Sequence, residues 1–578
     1  MNMAIKRDLW LMAGGIVLAL TIYGPLQAAS DESRVLHFPQ DRSMGILFMR
    51  NTDIKYSTAT TGWDVVGQAT GTISVPRKKV VRLDISNEAS SNLSALARLK
   101  PDDLFMLKLD DTNVDDEQLR HIAGLTGLEM LSLKSTATLG TGLRYLKGLT
   151  TLKSLDLGNT HVGNHELAYV KELTSLETLN LWGTPIDDAG MVHVGELSSL
   201  RELVLARLGV GDEGLIHLKK LSKLRKLQLF STYVSDEGLK HLAGLKELRE
   251  LILRDNQIGN AGLAHLAGLV QMESLELWGA QITDAGLVHV KKMKKLKSLD
   301  LLHTSVTERG LIHVRELTSL EGLGLPFKVK EAGLLQMSGL TSLKAIEMDI
   351  DSITPRGLTA LSKLTSLEDV GLNGNHNIDA VIKVLTGLPK IVGLGLRKGV
   401  TDKGFAELRH LPALKYLYLS ELQVTPQNMN AIAHLDSLLM LVLNDGEFSS
   451  AGTWAALGRL SSLEHLRFLG FKSDVTDSDI AHLANLQSLK DIQIDATFKI
   501  DEQLFSGLLI TDNGLKYLAQ LKSLRAILLY NAKKITNQGL QYFAGHQNLR
   551  YLNITDSQIT EQGLQRLKQT IPGLRCRR

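Results

Sequence analysis

Apolar residues recur along this chain with two periods inside one short unit. In residues 248–271, LRELILRDNQIGNAGLAHLAGLVQ, the spacing Leu248-x-x-Leu251-x-Leu253 has the alternation of a short strand. Past Ile258 and Gly262, the leucines Leu263, Leu266 and Leu269 recur at i, i+3 and i+6, the spacing of a helix face. The block from Met272 writes nearly the same pattern 24 residues later. The opening apolar position returns without a slip at Leu104, Leu128, Leu152, Leu176, Leu200, Leu224, Leu248, Met272, Leu296 and Leu320. It continues with small shifts at Leu343, Leu367, Ile391, Leu414, Leu438, Leu463 and Leu489, and again at Leu524 and Leu549, nineteen units in all.

A fixed period holding one strand and one helical turn is the mark of a repeat array, and these residues resemble the leucine-rich-repeat family. The resemblance covers about 80–574 and implies an α/β solenoid, with a parallel strand layer on the concave side and short helices on the convex side. Strands stack about 4.8 Å apart while helices need about 10 Å, so the expected shape is a horseshoe or superhelical arc. A chain of 578 residues then forms one elongated domain, because an array adds length without adding separate cores.

Polar pairs open each predicted helix, as in Ser235-Asp236, Thr283-Asp284, Thr401-Asp402 and Thr511-Asp512, and suit an N-cap. A glycine follows at Gly190, Gly214, Gly238, Gly262, Gly286, Gly310, Gly357, Gly514, Gly539 and Gly563. Glycine costs a helix about 1 kcal/mol against alanine, so its return points to close approach of the helix start to the neighbouring loop. This T-D-x-G-L turn is similar to the repeats of F-box-type ubiquitin-ligase receptors and of exported bacterial repeat proteins. The cysteine common in the former is absent, and nothing before Val80 reads as an F-box.

Three segments are expected. Residues 1–29 carry Lys6 and Arg7 before an apolar run at 9–23 and small residues at Ala28 and Ala29, which reads as a signal peptide or a membrane anchor. The run of fifteen residues is short of the roughly 20 that span a bilayer. Residues 30–79 lack the repeat but hold four Val/Ile/Phe-rich runs, at 35–38, 46–49, 65–69 and 72–75, expected as four strands of a small β-rich cap over the exposed end of the array. Residues 80–578 form the repeat domain, opened by a degenerate unit at Val80, Leu83 and Ile85. It carries an insertion near 499–510, where a helix start is written twice, once at Ile500-Asp501-Glu502-Gln503-Leu504 and again at Ile510-Thr511-Asp512.

Charge and motifs narrow the chemistry. The formal charge of +3 from 65 basic and 62 acidic residues gives no bulk reason to bind nucleic acid. Cys576 is the one cysteine, so neither an intramolecular disulfide nor a cysteine zinc site is expected. No G-x-S-x-G, H-E-x-x-H, P-loop or C-x-x-C spacing occurs, and no catalytic residue, cofactor or metal is expected. The histidine column His193, His217, His241, His265, His289 and His313, with His121 in register earlier, reads as a half-buried helix flank, since helices about 10 Å apart cannot share one metal.

Two stretches of the strand face remain as ligand-binding candidates. The residue after the second core leucine is Trp182, Ala206, Phe230, Arg254 and Trp278 in five consecutive units, with Arg207 next door. Aromatics with arginine are the residues that binding hot spots use. Further on, Gly322, Gly324, Gly371, Gly393 and Gly395 would make a smooth trough ending at an aromatic wall of Tyr416 and Tyr418. The expected function is a non-catalytic, monomeric scaffold of the cell envelope or exterior that recognises a protein or surface polymer. It would be periplasmic, surface-exposed or secreted, or anchored through residues 9–23. The alternative is a substrate-recruiting adaptor of an enzyme complex, as the ubiquitin-ligase receptors are.

Overall fold

A computed structural model describes residues 33–51, 62–326, 331–351, 353–448, 450–500, 503–571 and 574–577. The signal-like residues 1–29 lie outside the described residues. The chain divides into two compact units, one ending at Leu320 and the other beginning at Glu321. That division falls at the last opening leucine that keeps the strict 24-residue period.

In the first unit, the early module contains the four expected strands, Ser33–His37, Gly45–Asn51, Asp64–Gln68 and Thr72–Pro76. The first and fourth pair antiparallel, and so do the second and third. Gly45–Asn51 also lies antiparallel on Lys79–Ile85, which in turn pairs in parallel with Met106–Lys108, so the module continues the repeat sheet. The junction is sealed by buried charges on rings. Arg82 binds Asp84 through two bonds of 2.6 and 2.8 Å and stacks 4.1 Å over Phe48, while Arg50 lies 4.4 Å over Trp63.

From there the strands are three residues long and stack in parallel with leucine on leucine: Leu107, Leu131, Leu155, Leu179, Leu203, Leu227, Leu251, Leu275 and Leu299 are in register. All are buried. The opposite layer is short. Glu117–Ile122, Thr141–Leu146 and Glu166–Glu172 are 3-10 helices, and Asn260–Leu266 is a seven-residue α-helix. Apolar residues at i, i+3 and i+6 match the three-residue turn of the tighter helix, which favours it in short pieces. Buried threonines satisfy their own loops: Thr160, Thr184 and Thr304 each donate to the carbonyl three residues back at 2.7 Å.

The second unit keeps the parallel layer but lengthens its elements. Ala345–Asp349, Asp369–Asn373, Gly393–Arg397, Tyr416–Ser420, Met440–Asn444 and His465–Leu469 are five-residue strands, and the helices include Ile378–Leu385 and Glu561–Thr570. Where the period stretches beyond 24, a buried cluster of Phe448, Trp454, Phe468 and Phe471 takes up the added volume, with ring centroids from 4.8 Å apart. The insertion differs from expectation. Asp501 and Glu502 of its first copy lie outside the described residues; on either side Thr497–Ile500 and Gln503–Ser506 pair antiparallel, and the helix begins at the second copy, Asp512–Leu518. Thr497-Phe498-Lys499-Ile500 alternates polar and apolar residues, a strand period. Asp491–Ile494 still pairs directly with Ala526–Leu529, so the stack is unbroken. The tail also adds structure, because Arg575–Arg577 pairs in parallel with Tyr551–Ile554.

Candidate functional site

Register builds the aromatic column of the first unit. Because 178–180 pairs with 202–204, and so on through 226–228, 250–252 and 274–276, the residues two beyond each strand end stack in the order Trp182, Ala206, Phe230, Arg254, Trp278. Strand spacing puts alternate members roughly 10 Å apart. Trp182, Phe230, Arg254 and Trp278 are half-buried, while Ala206 is fully covered by its larger neighbours. The Arg254 guanidinium sits 4.3 Å over the Trp278 ring, and His303 meets that ring edge-on at 4.6 Å. The indole Nε1 of Trp182 is buried without an acceptor.

Sequence reasoning missed the next column. Asp111, Ser135, Asn159, Arg207, Ser231, Asp255 and His303 all have φ between 53° and 58°, and Gly183 and Gly279 fill the same position with φ of 67° and 75°. From Asp111 to Gly279 each of these turns donates its amide to the carbonyl one unit on, as in Arg207 to Phe230 at 2.9 Å and Ser231 to Arg254 at 2.9 Å. Left-handed backbone suits Gly, Asn and Asp, and the recurrence of those residues every 24 positions was the available signal. Ser135, Arg207, Ser231 and His303 depart from that rule, and Arg207 carries the longest of these side chains. It is exposed, with its guanidinium 5.9 Å from the Trp182 ring centroid.

In the second unit the trough is not smooth. Register places Glu347 between Gly324 and Gly371, and Asp369 beside Gly393, so carboxylates stand among the glycines. Gly395 is open: an added Cβ would meet nothing closer than Gly371 Cα at 3.6 Å. It lines a cavity of about 260 Å³ together with Glu347, Asn373, Arg397, Tyr418 and Asp445. Glu421, also on the rim, receives Lys398 at 2.7 Å and Arg397, which hold its carboxyl below the usual range. The expected aromatic wall needs correction. Tyr416 is half-buried, but Tyr418 is only 3% exposed; its hydroxyl donates to Met440 Sδ at 3.2 Å and burial pushes its phenol up. A five-residue strand lets a large ring lie down on its neighbours, which spacing alone does not reveal. The same face also carries an unforeseen polar group, His465 bonded through Nδ1 to Asp491, with Lys490 bound to Glu464 at 2.5 Å beside it.

The histidine column runs along the helix flank, half-buried except for the exposed His265. Burial, followed by neighbouring cations, lowers the pKa of His121, His193 and His241. Among the described residues no three of His, Cys, Asp and Glu gather closely enough to hold a metal.

Stacked leucine strands backed by short helices, with a strand face free to carry variable side chains, define a leucine-rich-repeat architecture. The family model described as Leucine Rich repeat matches residues 246–267 and 545–568. Among curated proteins no sequence matches this chain. Solved structures similar to it include an internalin (inlF) of Listeria monocytogenes, 21% identical with a TM-score of 0.36 over 57% of this chain and 89% of that one. The plant peptide hormone receptor RGFR1, solved in complex with RGF2, is 15% identical with a TM-score of 0.33 over 82% and 89%. A leucine-rich-repeat protein of Leptospira interrogans is 16% identical with a TM-score of 0.31 over 85% and 98%.

Proposed function

We propose that this chain is a non-catalytic binding scaffold of the cell envelope or exterior that recognises a protein or surface polymer on its strand face. Leucine-rich-repeat proteins serve as protein-binding scaffolds. The registered column Trp182, Phe230, Arg254 and Trp278 carries the reading, because it keeps large rings and arginine half exposed on a face whose core leucines point the other way. Such residues concentrate binding energy in interfaces. The compartment rests on Lys6, Arg7 and the apolar run 9–23. Among the described residues no helix is long and apolar enough to cross a membrane.

The test uses Trp278→Ala in the full chain. Capture of partners from envelope extracts falls sharply while the melting temperature moves by no more than about 2 °C. Undiminished capture ends the assignment of the column. Amino-terminal sequencing of the mature protein checks the compartment: a start near Ala29 in an envelope or secreted fraction supports export, and an intact Met1 in the cytosol overturns it.

A further inference from the structure

We infer that Arg207 is an anchor for a carboxylate on the bound partner, so that the aromatic column selects an acidic polypeptide segment carrying apolar side chains. The inference rests on the binding reading above and names the partner chemistry of that same face.

Four arginines of the same repeats already have a carboxylate. Arg201 meets Glu177 at 3.1 Å, Arg225 meets Glu247 at 3.4 Å, Arg249 meets Glu273 at 3.2 Å and Arg254 meets Asp255 at 3.6 Å. Arg207 is exposed and makes no ion pair among the described residues. Its neighbours in the turn column, Gly183 and Ser231, are uncharged.

Arg207 shares the left-handed backbone of its turn column, with φ at 56°, but it is the one arginine or lysine there, among Asp111, Ser135, Asn159, Ser231, Asp255 and His303. Beside it the Trp182 indole N–H is buried without an acceptor. An exposed cation without an ion pair and an unbonded indole donor therefore adjoin the same aromatic column. A carboxylate is the group that fits: the guanidinium offers paired donors in a planar fork, with the Trp182 ring centroid 5.9 Å away. An apolar side chain next to that carboxylate would then lie on Phe230 or Trp278, roughly 5 to 15 Å along the column.

The test pans a random short-peptide library, displayed on phage with blocked termini, against the full protein and its variants. Wild type enriches Asp and Glu together with apolar residues, by about tenfold over the unselected library if one charge-assisted contact is gained. R207G loses the acidic enrichment and melts no lower than wild type, because glycine suits the left-handed turn. R207E shifts the enrichment to Lys and Arg. No acidic enrichment with wild type, or the same enrichment with R207E, overturns the anchor. Trp278→Ala separates the two readings: apolar enrichment that disappears in this variant, with no acidic preference in wild type, leaves the column standing and removes only Arg207's role. Apolar and acidic enrichment that both survive Trp278→Ala overturn the column instead.

Discussion

Asp512 and Thr536 sit in consecutive repeats and share two hydrogen bonds: Oδ1 of the aspartate accepts the threonine amide at 2.8 Å and Oδ2 accepts its hydroxyl at 2.7 Å. The same clasp joins Asp212 to Ser235, Asp284 to Thr307 and Asp477 to Thr511. Each aspartate therefore ties its own helix start to the next one. It also explains the repeating glycine, since a Cβ on Gly539 would stand 2.5 Å from Asp512 Oδ1.

This clasp predicts coupled losses. Asp512→Ala costs about 1–3 kcal/mol because the Thr536 amide loses its acceptor. Gly539→Ala also destabilises, by forcing Asp512 and Leu515 aside. In the double variant the alanine meets less obstruction, so the two costs sum to less than their separate values. Urea denaturation of the four proteins measures the cycle, and strict additivity would show that Asp512 is not what excludes a side chain at 539.

Acid should weaken the fold through the histidine flank. His121, His193 and His241 have folded pKa values below 6.5, so the unfolded chain binds more protons once the pH falls through that value. Stability contributed by their neutral forms is present above about pH 6.5, declines below it and levels off beneath the folded pKa values. Replacing all three with Gln flattens the fall in melting temperature between pH 7.5 and 5. An unchanged slope would assign the acid sensitivity elsewhere.

Asp156 is predicted to sit at a cost when charged. Burial raises its pKa, although it accepts the Gly158 amide and Asn180 Nδ2, each at 2.9 Å. A raised carboxyl pKa penalises the fold above that pKa and the penalty fades as pH falls. Asp156→Asn keeps an acceptor and removes the charge, so it raises the melting temperature at pH 7.5 and loses that advantage near pH 4. A variant that melts lower at both pH values would refute this.

The left-handed column predicts a sharp side-chain preference. Ser231, with φ of 53°, tolerates Gly or Asn within about 0.5 kcal/mol, whereas Ser231→Val costs more than about 1 kcal/mol through its branched Cβ. Calorimetry of the three variants decides it.

The hairpin should be dispensable. Because 491–494 pairs directly with 526–529, replacing 497–505 with a short Gly-Ser turn leaves both units folded at a cost of about 1 kcal/mol, chiefly from losing the 2.6 Å bond between Asn531 and Thr497. Loss of cooperative unfolding would show that the hairpin supports the stack.

Much of this was legible because the signal is local and repeated. Leu251 and Leu253 announce a strand, Leu263 and Leu266 a helix face, and one unit's pattern is checked by its copies. The four early strands were readable for the same reason, as runs of Val, Ile and Phe between turn residues. Tyr418 was not, since the same two-residue alternation describes a ring standing up and a ring lying on Val442 and Met440. The hairpin near 500 was misread because a resemblance to the repeat's helix start outweighed the alternation beside it.

The sequence by itself determined the repeat, its register and the half of each unit that must be buried, because leucine at a fixed period leaves the chain one economical way to remove its apolar side chains from water. Only the tertiary structure decided which polar residues find partners. Residues 24 apart in sequence become neighbours at a strand spacing of about 4.8 Å. At that distance Asp512 meets Thr536 and Arg254 meets Trp278, while Arg207 meets no carboxylate among the described residues.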